Sequence, residues 1–194
     1  MARKILLTLL VLGAFGAASG AATFSAFSSQ TTNAANSFAA GTVQLTDNDL
    51  GGAMLSLSNA QPGATDTSCV LVTYAGSRSS TVRLYGTLTG TLAPYLTVTV
   101  TRGDDPTPVF DDCNGFVPDS TDYVGSGAGV VYQGALSAFP STYAGGLVDP
   151  FGASPETWTT SETHTYRFAV SLADDNGAQG LSSTASFTWE ARNQ

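Results

Sequence analysis

Tyr95-Leu96-Thr97-Val98-Thr99-Val100-Thr101-Arg102 decides the fold class. Leu96, Val98 and Val100 are expected inward, and Thr97, Thr99 and Thr101 outward. A period of two marks a strand with one buried face. Val and Thr, both β-branched, suit the pleated surface. Outward from this stretch the same period recurs. Residues 163–172 set Tyr166, Phe168, Val170 and Leu172 on one face, and residues 81–89 set Val82 and Leu84 against Arg83 and Tyr85. Residues 42–46 and 53–58 do the same with Val43 and Leu45, and with Leu55 and Leu57. Residues 68–74 are nearly all apolar, which predicts cover on both faces. Val130-Val131-Tyr132 resumes a strand, and residues 185–191 close the fold with Phe187 and Trp189 buried.

Turn chemistry separates these runs. Pro62-Gly63 centres one turn, Arg78-Ser79-Ser80 forms another, and residues 173–180 form a polar third. Residues 103–129 hold Asp104, Asp105, Pro106, Pro108, Asp111, Asp112, Pro118, Asp119 and Asp122, and read as a long excursion with a short strand around Val109. Residues 136–143 suggest one short helix, interrupted by Pro140. Residues 149–156 read as loop. The whole pattern predicts an all-β chain, a β-sandwich of about eight or nine strands with a short helix and long loops. Periodicity leaves open whether the sandwich is a jelly roll or immunoglobulin-like.

Composition narrows the function classes. Of 194 residues, 42% are hydrophobic and 11% charged, against about 25% charged in ordinary soluble domains. Such a hydroxyl-rich surface is common in extracellular β proteins and assembled layers. The net charge of −8 argues against nucleic acid and against anionic membrane surfaces as partners. Lys4 is the only lysine; the remaining cations beyond it are Arg78, Arg83, Arg102, Arg167 and Arg192. A polymer of the chain lacking residues 1–26 therefore has no lysine for an isopeptide bond.

The first residues read as an export signal. Arg3 and Lys4 form a basic head, and residues 5–15 an apolar run broken by Thr8 and Gly13. This run is short for a bilayer span and suits a signal-peptide core; an uncleaved anchor is the alternative. Small residues follow at 16–22, where cuts after Gly20 or Ala22 are open.

Thr23-Phe24-Ser25-Ala26-Phe27-Ser28, then Asn36-Ser37-Phe38-Ala39-Ala40-Gly41-Thr42-Val43-Gln44-Leu45, resembles the start of the TasA/camelysin family of secreted bacterial matrix-fibre subunits. Leu55-Ser56-Leu57-Ser58-Asn59-Ala60-Gln61-Pro62-Gly63 extends the match, and Phe187-Thr188-Trp189-Glu190-Ala191 resembles the family's closing strand. The family's Asp after Phe-Ser is Ser29 here. The resemblance implies a jelly roll. It also implies cleavage after Ala26, with Phe27 as the new N-terminus, and subunits joined by donor-strand exchange. The expected division is a signal peptide at 1–26, an N-terminal segment at 27–41 and a β-sandwich domain at 42–194.

Chemistry-bearing residues are few. The two cysteines, Cys69 and Cys113, are expected to form a disulfide tying the Asp/Pro-rich excursion to the sheet; two free thiols are the alternative. His164 is the single histidine and is expected outward on its strand. A His-Glu-x-x-His zinc motif needs two histidines, so a camelysin-like metallopeptidase finds no motif and no catalytic residue is assigned. No cofactor is expected, although Asp104, Asp105, Asp111 and Asp112 could supply oxygens to calcium; turn formation accounts for the same residues. Asp47 with Asp49 and Asp174-Asp175-Asn176 are further acidic groups. Tyr123, Tyr132, Tyr143, Phe151 and Trp158 either line a glycan groove or cover an end of the sandwich.

Residues 27–38 carry no charge and no proline. Every backbone N–H is free to join a sheet edge, with Phe27 and Phe38 as anchors. A disordered tail, or a strand folded back on its own domain, is the alternative. The expected function is a non-enzymatic, secreted subunit of an extracellular fibre or biofilm matrix, self-assembling into filaments at the cell surface. Other matrix proteins or polysaccharide are its further partners, and signal peptidase acts on it during export. A carbohydrate-binding or adhesive module is the runner-up.

Overall fold

The computed structural model describes residues 28–32, 35–36, 43–57, 60–148 and 157–193, the first two groups through their backbone. Among the described residues eleven strands run in chain order: β1 (Ser28–Thr32), β2 (Ala35–Asn36), β3 (Leu45–Asp47), β4 (Thr65–Tyr74), β5 (Ser80–Gly90), β6 (Leu96–Asp104), β7 (Val117–Pro118), β8 (Val130–Ala135), β9 (Leu147–Val148), β10 (Thr163–Leu172) and β11 (Ser183–Asn193). One sheet has the order β2-β1-β11-β5-β9; the other has β3-β4-β10-β6-β7, with β8 also on β6.

The pairing is nested. β1 pairs with β11, β4 with β10, β5 with β9 and β6 with β8, all antiparallel. With the short β2, β3 and β7 set aside, first lies against last and second against next-to-last. That is a long hairpin rolled into two sheets, the jelly roll. It closes an all-β chain while leaving few exposed edges.

The alternating residues meet between the sheets. Leu96, Val98 and Val100 of β6 are buried, as are Tyr166, Phe168, Val170 and Leu172 of β10. Phe187 and Trp189 of β11 face them, with Phe168 4.7 Å from Phe187 and 5.9 Å from Trp189 between ring centroids. Phe139 continues the aromatic series, 5.1 Å from Phe187 and 4.9 Å from Tyr132. The apolar run on β4 is covered on both faces over part of its length, with Ser68, Cys69 and Val70 all buried. The Pro62-Gly63 turn forms with Gly63 at φ 78° and Ala64 N–H donating to Gln61 O at 2.9 Å, the pattern of a type II turn that glycine permits.

Residues 105–118 form a strap across the outer face of the second sheet. The chain comes back past β10 with Phe116 4.9 Å from the Arg167 guanidinium, having left β6 and first reached β4. There Asp111 N–H donates to Cys69 O at 3.0 Å, and Cys69 and Cys113 are joined in the expected disulfide with Cα atoms 5.2 Å apart. The strap returns as β7 on β6. A β-carbon at Gly103 would stand 2.2 Å from Val117 O, so glycine admits this close return. Cys69, Thr101 and Thr165 are buried beneath it.

Three local expectations change. Residues 53–57 form no strand, although Leu55 and Leu57 still pack on the core. Val109 makes only an isolated bridge to Asp112, and the excursion's strand is β7 instead. The helix expected over 136–143 is a three-residue 3₁₀ turn, Leu136–Ala138. Pro140 has no N–H to continue it, and its carbonyl accepts from Gly86 N–H at 2.8 Å. Residues 149–156 lie outside the described residues. Among the described residues, no helix is long and apolar enough to cross a membrane.

Candidate assembly edge

β11 is the strand on which the candidate site is built. On one side it pairs with β5 along its whole length, from Ser183↔Gly90 to Asn193↔Ser80. On the other side β1 pairs only from Ser28↔Arg192 to Thr32↔Thr188. Segment 27–41, expected to reach a neighbouring subunit, thus contributes β1 to its own sheet in the single chain, as a five-residue strand. Among the described residues no strand pairs with the outer edge of 183–187. Beside this edge lies a cleft of about 300 Å³, lined by Met54, Leu55, Leu57, Val170, Ala185 and Phe187 among others. An unpaired strand edge beside an apolar cleft can take an extended peptide: main-chain hydrogen bonds give affinity and a side chain fills the cleft.

The other face of β11 is held by a polar cluster. The Glu190 side chain is 2% exposed. It accepts from Tyr85 Oη at 2.7 Å and from Arg192 Nε at 2.7 Å. Burial, and next the bond to Glu190, push the Tyr85 phenol up to about 12. The Arg192 guanidinium lies 3.8 Å from the Tyr143 ring centroid, and Arg83 lies 5.2 Å from the same ring. Arg83 Nη1 also donates to Ala144 O at 2.8 Å. β5, β11 and the 143–144 turn are thereby tied together beside β1.

His164 does not face outward. It shares the parity of Tyr166 and Phe168, so a period of two places it on the core side. Its side chain is 13% exposed and stands edge-on to buried Trp158, with centroids 4.7 Å apart. Arg102 Nη2 approaches both ring nitrogens, at 3.1 Å from Nδ1 and 2.8 Å from Nε2. Nε2 is also 3.1 Å from Glu162 Oε1. Arg102 Nη1 lies 3.5 Å from Asp119 Oδ2, and Tyr123 Oη donates to that oxygen at 2.8 Å. This network gathers polar side chains around Arg102 at one end of the sandwich.

The four calcium candidates, Asp104, Asp105, Asp111 and Asp112, are not gathered. Asp105 Oδ1 accepts from Thr107 N–H and Asp112 Oδ1 from Asn114 N–H, both within the strap's own turns. Asp111 adopts φ 67° and is exposed, as is Asp104 at the end of β6. Among the described residues, no group of three or more His, Cys, Asp or Glu is placed to hold a metal ion. The aromatics are dispersed too: Tyr123 joins the end network, Tyr132 packs on Phe139, Tyr143 lies under two arginines and Trp158 is fully buried. Phe151, the cleavage residues Ala26 and Phe27, and the anchor Phe38 lie outside the described residues.

Sequence reading missed the burial of Arg102 and Glu190. Arg102 was within reach, since it continues the Leu96, Val98, Val100 face. Glu190 was not, because nothing local distinguishes it from an outward strand residue. No family model matches the chain, and no curated protein matches it.

Proposed function

We propose that this chain is a non-enzymatic structural subunit of an extracellular fibre or biofilm matrix, joined non-covalently by exchange of β1. The observation that carries the reading is the half-covered edge of β11. Five residues of β1 close part of it, and among the described residues no strand covers the rest, which lies beside an apolar cleft. The main-chain bonds that hold β1 on its own β11 serve equally well when β1 comes from another copy, so exchange keeps them while linking subunits. Passed head to tail, such a contact does not close and propagates a filament. The resemblance of residues 23–45 to matrix-fibre subunits supports the same arrangement, with cleavage after Ala26 and with Phe27 and Phe38 as anchors. The Cys69–Cys113 disulfide suits an oxidising, extracellular setting.

The test is deletion of residues 27–37. The truncated protein stays folded by circular dichroism, runs as a monomer and forms no fibres by electron microscopy. Normal fibres from it would sink the reading. A Ser29→Cys/Ala191→Cys pair, at directly opposed positions, gives a second check. Oxidised, it locks β1 at home and blocks fibres; reduced, it restores them. Retention of a non-fibrous wild-type monomer on insoluble polysaccharide would favour an adhesive module instead.

A further inference from the structure

The turn after β3 reads Asp47-Asn48-Asp49-Leu50-Gly51-Gly52. Asp49 is 6% exposed. Its Oδ1 accepts from Gly51 N–H at 2.8 Å. Its Oδ2 is buried and has no hydrogen-bond partner. The Asp47 carboxylate is close enough to hydrogen-bond with Asp49 and acts on it as a like charge. Two carboxylates therefore meet at one turn, with one Asp49 oxygen taken out of water.

No positive side chain among the described residues is among the groups acting on Asp49. Arg83, Arg102, Arg167 and Arg192 are engaged at Tyr143, Asp119, Phe116 and Glu190 respectively. A buried carboxylate without a compensating charge is costly. Either a proton or a cation can offset it. Burial is the main cause that pushes Asp49 up to about 6; the Gly51 N–H works against this and Asp47 adds to it.

The geometry points to a divalent-cation site at the Asp47–Asp49 turn, with calcium as its ligand. Both protein donors are carboxylates, which suit a hard cation. Two carboxylates make a partial shell, and backbone carbonyls and water complete it. Calcium accepts such irregular, partly hydrated shells, whereas magnesium demands a near-ideal octahedron. Few charged ligands place the affinity in the range of extracellular modules, about 10⁻⁴–10⁻³ M. The two carboxylates are not residues of the β11 edge, so the test of this site does not depend on whether the chain forms fibres.

The experiment uses the mature, disulfide-bonded protein, stripped with EDTA and returned to neutral pH. Calcium chloride is titrated by calorimetry, and melting is followed with and without about 10 mM calcium, which exceeds the expected dissociation constant. The wild type binds calcium and its melting temperature rises by several degrees. Asp49→Asn loses the calorimetric signal and the calcium-dependent shift, yet melts no lower than the wild type in EDTA. Asp111→Asn/Asp112→Asn, on the strap, keeps the full response. A wild-type melting temperature indifferent to calcium overturns the site, and so does a response that survives Asp49→Asn or disappears with the strap variant.

Discussion

The two sheets of this sandwich are finished in opposite ways. The outer face of β4, β10 and β6 is covered by the strap, which a covalent bond pins to β4 at Cys69–Cys113. The edge of β11 is finished by β1, held by main-chain pairing over five residues. A disulfide restricts the unfolded chain and does not let go under oxidising conditions. A short strand held by backbone hydrogen bonds can be replaced by an identical strand at little net change in free energy. On the fibre reading proposed above, the pinned face is the stable part of the subunit and the replaceable edge is the part that exchanges.

Four measurements break or sharpen that contrast. Phe168 sits between the two regions, fully buried against Phe187 and Trp189. Phe168→Ala should cost about 4 kcal/mol in denaturant unfolding and speed hydrogen exchange in strap and edge together. Loss of protection in only one of them would show that the two regions unfold independently.

Removing the staple comes next. The cysteines are 44 residues apart, and chain entropy sets a ceiling of about 4 kcal/mol on the disulfide. Cys69→Ser/Cys113→Ser should lose roughly 3 kcal/mol, with faster exchange over residues 105–118 and unchanged protection of β11 over 188–192. If the β11 edge loosens as much as the strap, the contrast fails.

Glu190→Ala is the opposite perturbation. It deprives Tyr85 Oη and Arg192 Nε of their shared acceptor and should cost about 2 kcal/mol, the scale of hydrogen bonds to a charged group. Exchange should rise along β5, β11 and β1 while the strap stays protected. A loss of protection confined to the strap would contradict this assignment.

The smallest effect belongs to the end network and to pH. Burial works to raise Glu162, but the Thr159 N–H and hydroxyl together with His164 outweigh it and hold the carboxyl below its ordinary 4.5. With the folded value depressed, its contribution is complete above the unfolded value and is lost as pH falls through the folded one. Glu162→Gln should therefore cost about 1 kcal/mol near neutral pH, and this difference should shrink as the pH is lowered below about 4. A difference that stays constant into acid would show that the ionised carboxylate is not what matters.

Much of the fold was legible from side-chain alternation. The faces of β6 and β10 follow directly from it, and so does the burial of Phe187 and Trp189. Failures came where local pattern had no long-range information. Residues 53–57 alternate like a strand yet find no strand partner among the described residues, and their leucines pack on the core without pairing. His164 was read outward, although its own parity placed it with Tyr166. The candidate edge was partly legible: the uncharged, proline-free segment marked a strand that could join an edge. Nothing in that segment specified β11 as its partner.

By itself, then, the sequence determined which side of each long strand meets the core, because a β-strand repeats every two residues whatever it pairs with. It also determined the disulfide partners, since only Cys69 and Cys113 are present. Tertiary structure alone decided the nested strand order, the strap over β4 and β10, and the burial of Asp49 and Glu190. The physical reason is the same in each case. Alternation specifies a face but not a neighbour, and whether a polar group is taken out of water depends on distant segments that cover it.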